Sequence, residues 1–296
     1  MLNEMKLQAY GKINLSLDVL RKRPDGYHDV RMVMQTVKLH DNIDLYREDE
    51  PGIRLTTNLS FLPVDENNLM VKAAKLLMDE FHIESGLRMF LKKVIPVAAG
   101  MAGGSSDAAA VLFGVNRMFD LGLTRDQLME RGVKLGADIP FCLLRGTALS
   151  EGIGEKLTVL PKLPDCPILL AKPALSVSTR YVYEHLNVAE RPPEAHPDVD
   201  SVIAGLQHQS IPEVAEHLGN ILETVTLEAY PEIKKIKEAM LTCGALNSLM
   251  SGSGPTVFGI FDDEEKAKAC YEAFRNGEYR PLARQVYLTA PWQQRK

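Results

Sequence analysis

The sequence predicts a mixed α+β protein of two domains, and three observations lead to this prediction. The chain has 296 residues, which is the length of two ordinary domains. Strand patterns fill the first 47 residues and helical patterns follow them. Strands and helices then begin a second series near Leu157. We therefore expect one domain over residues 1–155 and another over residues 156–296.

The first strands come from a period of two. Apolar residues from Ile13 to Val19 alternate with polar ones, which is typical of a half-buried strand. Lys12 shares its parity with Asn14, so both are expected on the polar face. The segment Arg23–Gly26 contains Pro and Gly in the order of a turn. A hairpin is then expected to bring together Lys12, Asn14, Tyr27 and His28.

Helical spacing dominates the rest of the first domain. Apolar residues at intervals of three and four predict helices over residues 69–81 and after Ser106. Thr124 with Gln127 has the pattern of a capping box, and Gly136 would close the helix that this box opens.

The second domain alternates between the same two patterns. Three prolines make residues 191–197 a surface loop. The remaining predictions are strands over 167–171, 256–261 and 285–289, and helices over 211–229, 231–243 and 264–274.

Composition and charge restrict the function. The chain is 45% hydrophobic and 25% charged, and 34 basic against 39 acidic side chains leave a net charge of −5. This balance disfavours binding to nucleic acid or to an anionic membrane. The four cysteines have no metal-ligand spacing, and no apolar run is long enough for a membrane helix. We expect a cytoplasmic protein without nucleic-acid or membrane partners.

The segment from Pro96 to Asp107 is the strongest chemical signal. Three glycines let the backbone approach a ligand, and the following helix contributes unpaired N–H groups and its positive end. This arrangement favours phosphate binding, and the alternative is a flexible turn with Ser106 as the helix N-cap. The spacing matches neither the lysine-bearing P-loop nor the dinucleotide-binding pattern.

A second loop, Met250–Thr256, leads into an expected strand. By itself this loop indicates only a turn. Two Gly/Ser loops, one in each half, fit a nucleotide and a second substrate held in a cleft between domains.

Taken together, these segments resemble the GHMP kinases. The resemblance rests on Gly11–Leu15 and on the two glycine loops, and it extends from about Lys6 to beyond Phe261. Three further segments narrow it to the branch that acts on 4-diphosphocytidyl-2-C-methyl-D-erythritol. These segments are Arg23–His28, Gly136–Phe141 and Ala171–Pro173.

The resemblance implies both a fold and a reaction. The fold would be an N-terminal domain of ribosomal-protein-S5-like type and a C-terminal α/β-plait, with the active site in the cleft between them. The reaction would be ATP-dependent phosphorylation of the substrate's 2-hydroxyl, in the non-mevalonate route to isoprenoid precursors. ATP and Mg²⁺ would be required, and the partners would be small molecules only.

The resemblance also implies residue roles. Asp138 would accept the hydroxyl proton, and Lys12 would favour the ionised carboxylate and offset charge on the phosphoryl group. Tyr27 would stack on the cytosine ring, and Tyr183 would close its other face. The ATP-binding residues would be Pro96, Val97, Ala98, Ala99, Gly100, Met101, Ala102, Gly103, Gly104, Ser105 and Ser106. The substrate-binding residues would be Asn14, Tyr27, His28, Tyr183, Gly252, Ser253 and Gly254.

Simpler interpretations of single residues stay open. Asp138 is also suited to cap a helix, and Lys12 to lie in solvent on a strand. Asp107 is expected to complement the helix dipole rather than to bind a metal. Ser105 or Ser106 would contact Mg²⁺, and the sequence does not select between them. At the level of function, the alternatives are a related kinase acting on mevalonate or homoserine, and a nucleotide-binding regulator without turnover.

Overall fold

The computed structural model describes residues 2–293, which form two compact units. One unit comprises the chain up to Gly11 together with Leu39–Val97 and Ala102–Leu144. The other comprises Lys12–Lys38, Ala98–Met101 and the chain from Arg145 onward. The units are therefore interleaved along the sequence, and the boundary at residue 155 stays a prediction.

Strands and helices alternate through the described chain. The strands are β1 (Glu4–Lys22), β2 (His28–Glu48), β3 (Ile53–Thr57), β4 (Gly86–Lys92), β5 (Thr147–Gly152), β6 (Lys156–Val159), β7 (Ile168–Lys172), β8 (Gly219–Asn220), β9 (Asn247–Met250), β10 (Val257–Ile260) and β11 (Gln285–Thr289). The helices are α1 (Leu69–Glu80), α2 (Gly103–Met118), α3 (Arg125–Gly132), α4 (Ile139–Leu144), α5 (Thr179–His185), α6 (Val199–Gln207), α7 (Ile211–Glu216), α8 (Glu223–Ala229), α9 (Pro231–Thr242) and α10 (Glu264–Arg275).

The first unit packs helices on a sheet. β4 pairs in parallel with β3 and antiparallel with residues 42–48 of β2, and α1 packs against α2. The alternation in β4 buries Leu87, Met89 and Leu91 in the apolar core, because successive side chains of a strand point to opposite faces. The predicted capping box of α3 is present, with Thr124 and Gln127 bonding each other's backbone. The helix ends at Gly132, however, and the predicted end at Gly136 is wrong because a turn intervenes.

The second unit contains two sets of strands. β5 pairs with residues 30–35 of β2 and with β6. A separate antiparallel sheet has the order β11-β7-β10-β9, and α9 and α10 pack on it. β11 has the predicted bounds, and α9 ends one residue earlier than predicted. The mixed α+β class is confirmed.

The helix predicted over residues 211–229 is wrong. The structure has α7 and α8 with the two-residue strand β8 between them. Asn220 pairs with Leu17 in register, and Ile221 N–H donates to the Leu17 carbonyl at 3.0 Å. Pairing with β1 therefore replaces the helical hydrogen bonds that the local sequence favours.

Across residues 2–293, every helix is too short or too polar to span a lipid bilayer.

Candidate active site

The predicted phosphate loop has an alternating backbone conformation. Ala98, Gly100 and Ala102 all have positive φ, at 49°, 74° and 52°. Residues other than glycine rarely adopt this region, so the two alanines carry local strain, which is commonly retained at functional sites. A backbone in which left-handed residues recur at every second position can turn successive N–H groups toward one concave side, an arrangement that suits an anion.

The helix that follows begins without a side-chain cap. Its N-cap is Ala102, which makes no capping hydrogen bond, so the N–H groups of the first turn are available to a ligand. Ser106 is not the N-cap that the alternative interpretation expected. Its N–H bonds the Ala102 carbonyl at 2.8 Å, and its Oγ donates to the Tyr10 carbonyl at 2.6 Å.

The turn that carries Asp138 lies close in space to the start of α2. Asp138 directly precedes α4, and its carbonyl accepts from Cys142 N–H at 3.1 Å. A Cβ added at Gly136 would stand 3.9 Å from Ser105 Oγ, so the turn carrying Asp138 lies against the first turn of α2. Within residues 2–293, no group donates a hydrogen bond to the half-buried Asp138 carboxylate.

Lys12 does not lie in solvent. Its side chain is 5% exposed, and its Nζ donates to Asn14 Oδ1 at 2.6 Å. Asn14 is fully buried and donates in turn to Met32 Sδ at 3.2 Å. The expectation that β1 is a half-buried strand with one exposed polar face is thus wrong, because both faces of this part of the strand are covered. The substrate contact predicted for Asn14 stays a prediction.

The second glycine loop braces the first. Ser251 Oγ donates to the Gly100 carbonyl at 2.9 Å, and a Cβ on Gly100 would overlap the Ser251 carbonyl oxygen. A Cβ added at Gly252 would stand 3.6 Å from Lys12 Nζ. Ser253 is bonded to Thr179 by their hydroxyls at 2.7 Å. Residues 250–256 are all buried, so the loop positions Gly100 and Lys12 whether or not it touches substrate.

Three aromatic residues predicted to hold the cytidine lie in the second unit. Tyr27 is 59% exposed at the end of the turn, and Asp25 Oδ1 accepts its N–H at 3.1 Å. The His28 ring lies 5.1 Å from that of Tyr183, which α5 contributes. Burial, and secondarily the charge of Lys22, lowers the pKa of His28, which favours a neutral ring at neutral pH.

A buried ionic cluster beside the phosphate loop was not predicted from the sequence. Lys93 Nζ donates to Asp41 Oδ2 and to Asp107 Oδ2, each at 2.6 Å. Asp107 is the fifth residue of α2 rather than a first-turn dipole partner, so that expectation is wrong. The sequence around β4 contains a pattern that indicates this cluster. Lys93 follows Leu87, Met89 and Leu91 at the same two-residue interval, so it is expected on the buried face, where a lysine needs an anionic partner.

Burial dominates the electrostatics of this cluster. Burial raises the pKa of Asp107 to about 7, against the pull of the Lys93 ammonium. Burial alone would lower the pKa of Lys93, but Asp107 and Asp41 outweigh it and the net change is upward. Among the described residues, no three His, Cys, Asp or Glu side chains could hold a metal ion on their own.

Family models match both halves of the chain. Residues 68–146 match the model described as GHMP kinases N terminal domain, and residues 202–280 match the one described as GHMP kinases C terminal. A protein from Lachnospira eligens, named 4-diphosphocytidyl-2-C-methyl-D-erythritol kinase, is 53% identical over 97% of this chain and 98% of its own.

Solved structures show the same fold. A crystal structure titled 4-(cytidine 5'-diphospho)-2C-methyl-D-erythritol kinase has a TM-score of 0.81 and 30% identity, covering 98% of this chain and 100% of that one. A homoserine kinase from Cytophaga hutchinsonii has a TM-score of 0.78 over 98% of this chain and 95% of its own, at 21% identity, and indicates the fold alone.

Proposed function

The chain belongs to the GHMP kinase family, and from that premise we propose how its residues carry out the reaction. The activity is ATP-dependent phosphorylation of the 2-hydroxyl of 4-diphosphocytidyl-2-C-methyl-D-erythritol, a step toward isoprenoid precursors. The protein is a small-molecule kinase with the two-domain α+β fold of the family. A cytoplasmic setting is part of the proposal, supported by cysteines that are all free thiols.

One observation carries the residue assignment: the buried ammonium of Lys12 has no carboxylate partner among the described residues. Its bonded neighbour is the amide oxygen of Asn14, at 2.6 Å. Buried charges in proteins are normally paired, so this ammonium requires an anion from elsewhere. A phosphoryl group is such an anion, and it gains charge stabilisation as it transfers.

Asp138 is the proton acceptor in this proposal. An alcohol is a weak nucleophile, and a carboxylate within hydrogen-bond reach accepts its proton as attack on the phosphoryl group develops. The Asp138 carboxylate is half-buried and unbonded within residues 2–293, which leaves its oxygens available to the acceptor hydroxyl. The O–P bond forms at the substrate oxygen as the bond to ADP breaks.

The ATP phosphates lie on the loop from Pro96 to Ser106 and the first turn of α2. The positive φ angles and the uncapped N–H groups support this assignment. Mg²⁺ is held mainly by substrate phosphates in such sites and takes few protein oxygens, which fits a chain without a dedicated carboxylate cage in its described part. The Ser105 hydroxyl would contact Mg²⁺, because Ser106 Oγ is committed to Tyr10. The ion would neutralise phosphate charge.

The cytidine binds the exposed ring of Tyr27, with His28 and Tyr183 beside it. The ring contact between His28 and Tyr183 supports one aromatic surface from two elements. Stacking on an aromatic ring is available to any base, so hydrogen bonds from the neutral His28 ring would add selectivity for cytosine.

The test measures ADP release with ATP and Mg²⁺ in the presence of 4-diphosphocytidyl-2-C-methyl-D-erythritol, mevalonate or homoserine. Turnover confined to the cytidine substrate is expected. Asp138→Asn should lower kcat by about 10²- to 10⁴-fold while leaving ADP affinity unchanged, because it removes the proton acceptor and keeps the shape. Exposed Asp126→Asn, in the same unit, is the matched control.

Turnover with mevalonate or homoserine would contradict the assignment of the cytidine substrate but would still identify a kinase. Nucleotide binding without turnover on any alcohol would identify a regulator instead. Near-normal kcat in Asp138→Asn would make Asp138 a structural residue at the start of α4.

A further inference from the structure

We propose that Lys93 is a positioning residue for ATP, because its ammonium ties the chain entering the phosphate loop to the helix leaving it. This inference rests on the proposed function of that loop. Lys93 does not touch the nucleotide in this proposal; it acts through Asp107 and through the backbone around it.

The entrance to the loop is held by side chains instead of by a neighbouring strand. After β4 ends, Asn58 accepts from Lys93 N–H at 2.7 Å and donates to the Lys93 carbonyl at 3.2 Å. Asp41 Oδ1 accepts from the N–H groups of Val94, at 2.5 Å, and Ile95, at 2.8 Å. Residues 93–95 thus have a fixed path just before Pro96.

The exit of the loop rests on the same ammonium. Asp107 in α2 accepts from Lys93 Nζ at 2.6 Å. A Cβ added at Gly103 would stand 2.9 Å from Nζ and 3.1 Å from Ile95 Cγ2, so the first residue of α2 lies directly against this cluster. The separation between entrance and exit sets where the loop N–H groups point, and hence their fit to phosphate oxygens.

The bond to Asp107 is the part of the cluster that can be cut selectively. Asp41 accepts from Lys93 Nζ and from two backbone N–H groups, those of Val94 and Ile95, so it stays in place and keeps Lys93 paired. Asp107 contributes one bonded oxygen, whereas its Oδ1 is buried without a partner. Removing the Asp107 carboxylate therefore leaves a balanced ion pair between Lys93 and Asp41. The contact that is lost is the hydrogen bond between Lys93 and α2.

The experiment compares Asp107→Ala with Asp107→Asn, which keeps an oxygen acceptor for Lys93 Nζ. The alanine variant should raise the KM for ATP and the Kd for ADP by about ten-fold or more, as expected for a lost hydrogen bond to a charged group. The KM for the alcohol substrate should not change. The asparagine variant should restore both nucleotide constants to within about three-fold of the original. Arg117→Ala, at an exposed position of the same helix, is the matched control.

Thermal unfolding confirms that each variant is folded, and Asp107→Ser, too short to reach Nζ, replaces the alanine variant if that one does not fold. Unchanged nucleotide constants in a folded alanine or serine variant would overturn the proposal. An asparagine variant as impaired as alanine would also overturn it. Because ADP affinity is measured without turnover, a chain that binds ADP but phosphorylates no alcohol would refute the proposed function and leave this inference standing.

Discussion

The contact between the two glycine loops predicts that Gly100→Ala destabilises the protein and weakens nucleotide binding. Gly100 has a φ of 74°, and a Cβ there would overlap the carbonyl oxygen of Ser251. Ser251 also holds Gly100 by its hydroxyl, at 2.9 Å from the Gly100 carbonyl. A side chain at this position therefore forces the loops apart as well as straining the backbone.

A second glycine separates these two effects. Gly122 has a φ of 69°, and a Cβ there would meet nothing within 4 Å. Gly122→Ala should lower the free energy of unfolding by about 1 kcal/mol, which is the strain of the left-handed region alone. Gly100→Ala carries the same strain plus the collision, and overpacking adds about 1–3 kcal/mol, for a total of about 2–4 kcal/mol.

Urea unfolding of both variants measures these free energies, and ADP titration measures the function of the loop. Gly100→Ala should weaken ADP binding by at least about ten-fold, because the loop amides are displaced from a pre-formed arrangement. Gly122→Ala should leave ADP affinity unchanged. Equal losses of stability in the two variants would refute the packing argument, and unchanged ADP affinity in Gly100→Ala would refute the loop's role.

Two further predictions concern Lys12 and Tyr27. Lys12→Met should lower kcat by about 10²- to 10³-fold, because it removes a preorganised charge. The free energy of unfolding of this variant should equal or exceed that of the original protein, because the substitution removes an unpaired buried charge. Exposed Lys92→Met is the control, and a large loss of stability in Lys12→Met would contradict the argument. Tyr27→Ala should raise the KM for the cytidine substrate about ten-fold without destabilising the protein, because the ring is 59% exposed and base stacking is worth about 1–3 kcal/mol. Phe61→Ala, at a side chain that is 70% exposed, is its control, and an unchanged KM in Tyr27→Ala would exclude the stacking role.

Local patterns predicted the elements whose hydrogen bonds are local. The capping box at Thr124 and the helix α9 follow from sequence, because their hydrogen bonds join residues that are neighbours in the chain. The helix over residues 211–229 failed where Asn220 pairs with β1, a partner about two hundred residues away in the chain. The burial of Asn14 was hidden for the same reason, since no local pattern reveals what covers the second face of a strand.

The two buried lysines differ in their partners, and the sequence alone does not show this difference. Lys93 and Lys12 are 8% and 5% exposed, so neither is the solvated lysine that composition leads one to expect. Lys93 is paired with two carboxylates at 2.6 Å, and these ion pairs stabilise the fold around the loop. Lys12 has only an amide oxygen among the described residues. A chain that buries a charge without its counterion is stabilised when a ligand brings one. Under the proposed function, the phosphoryl group of ATP is that ligand for Lys12.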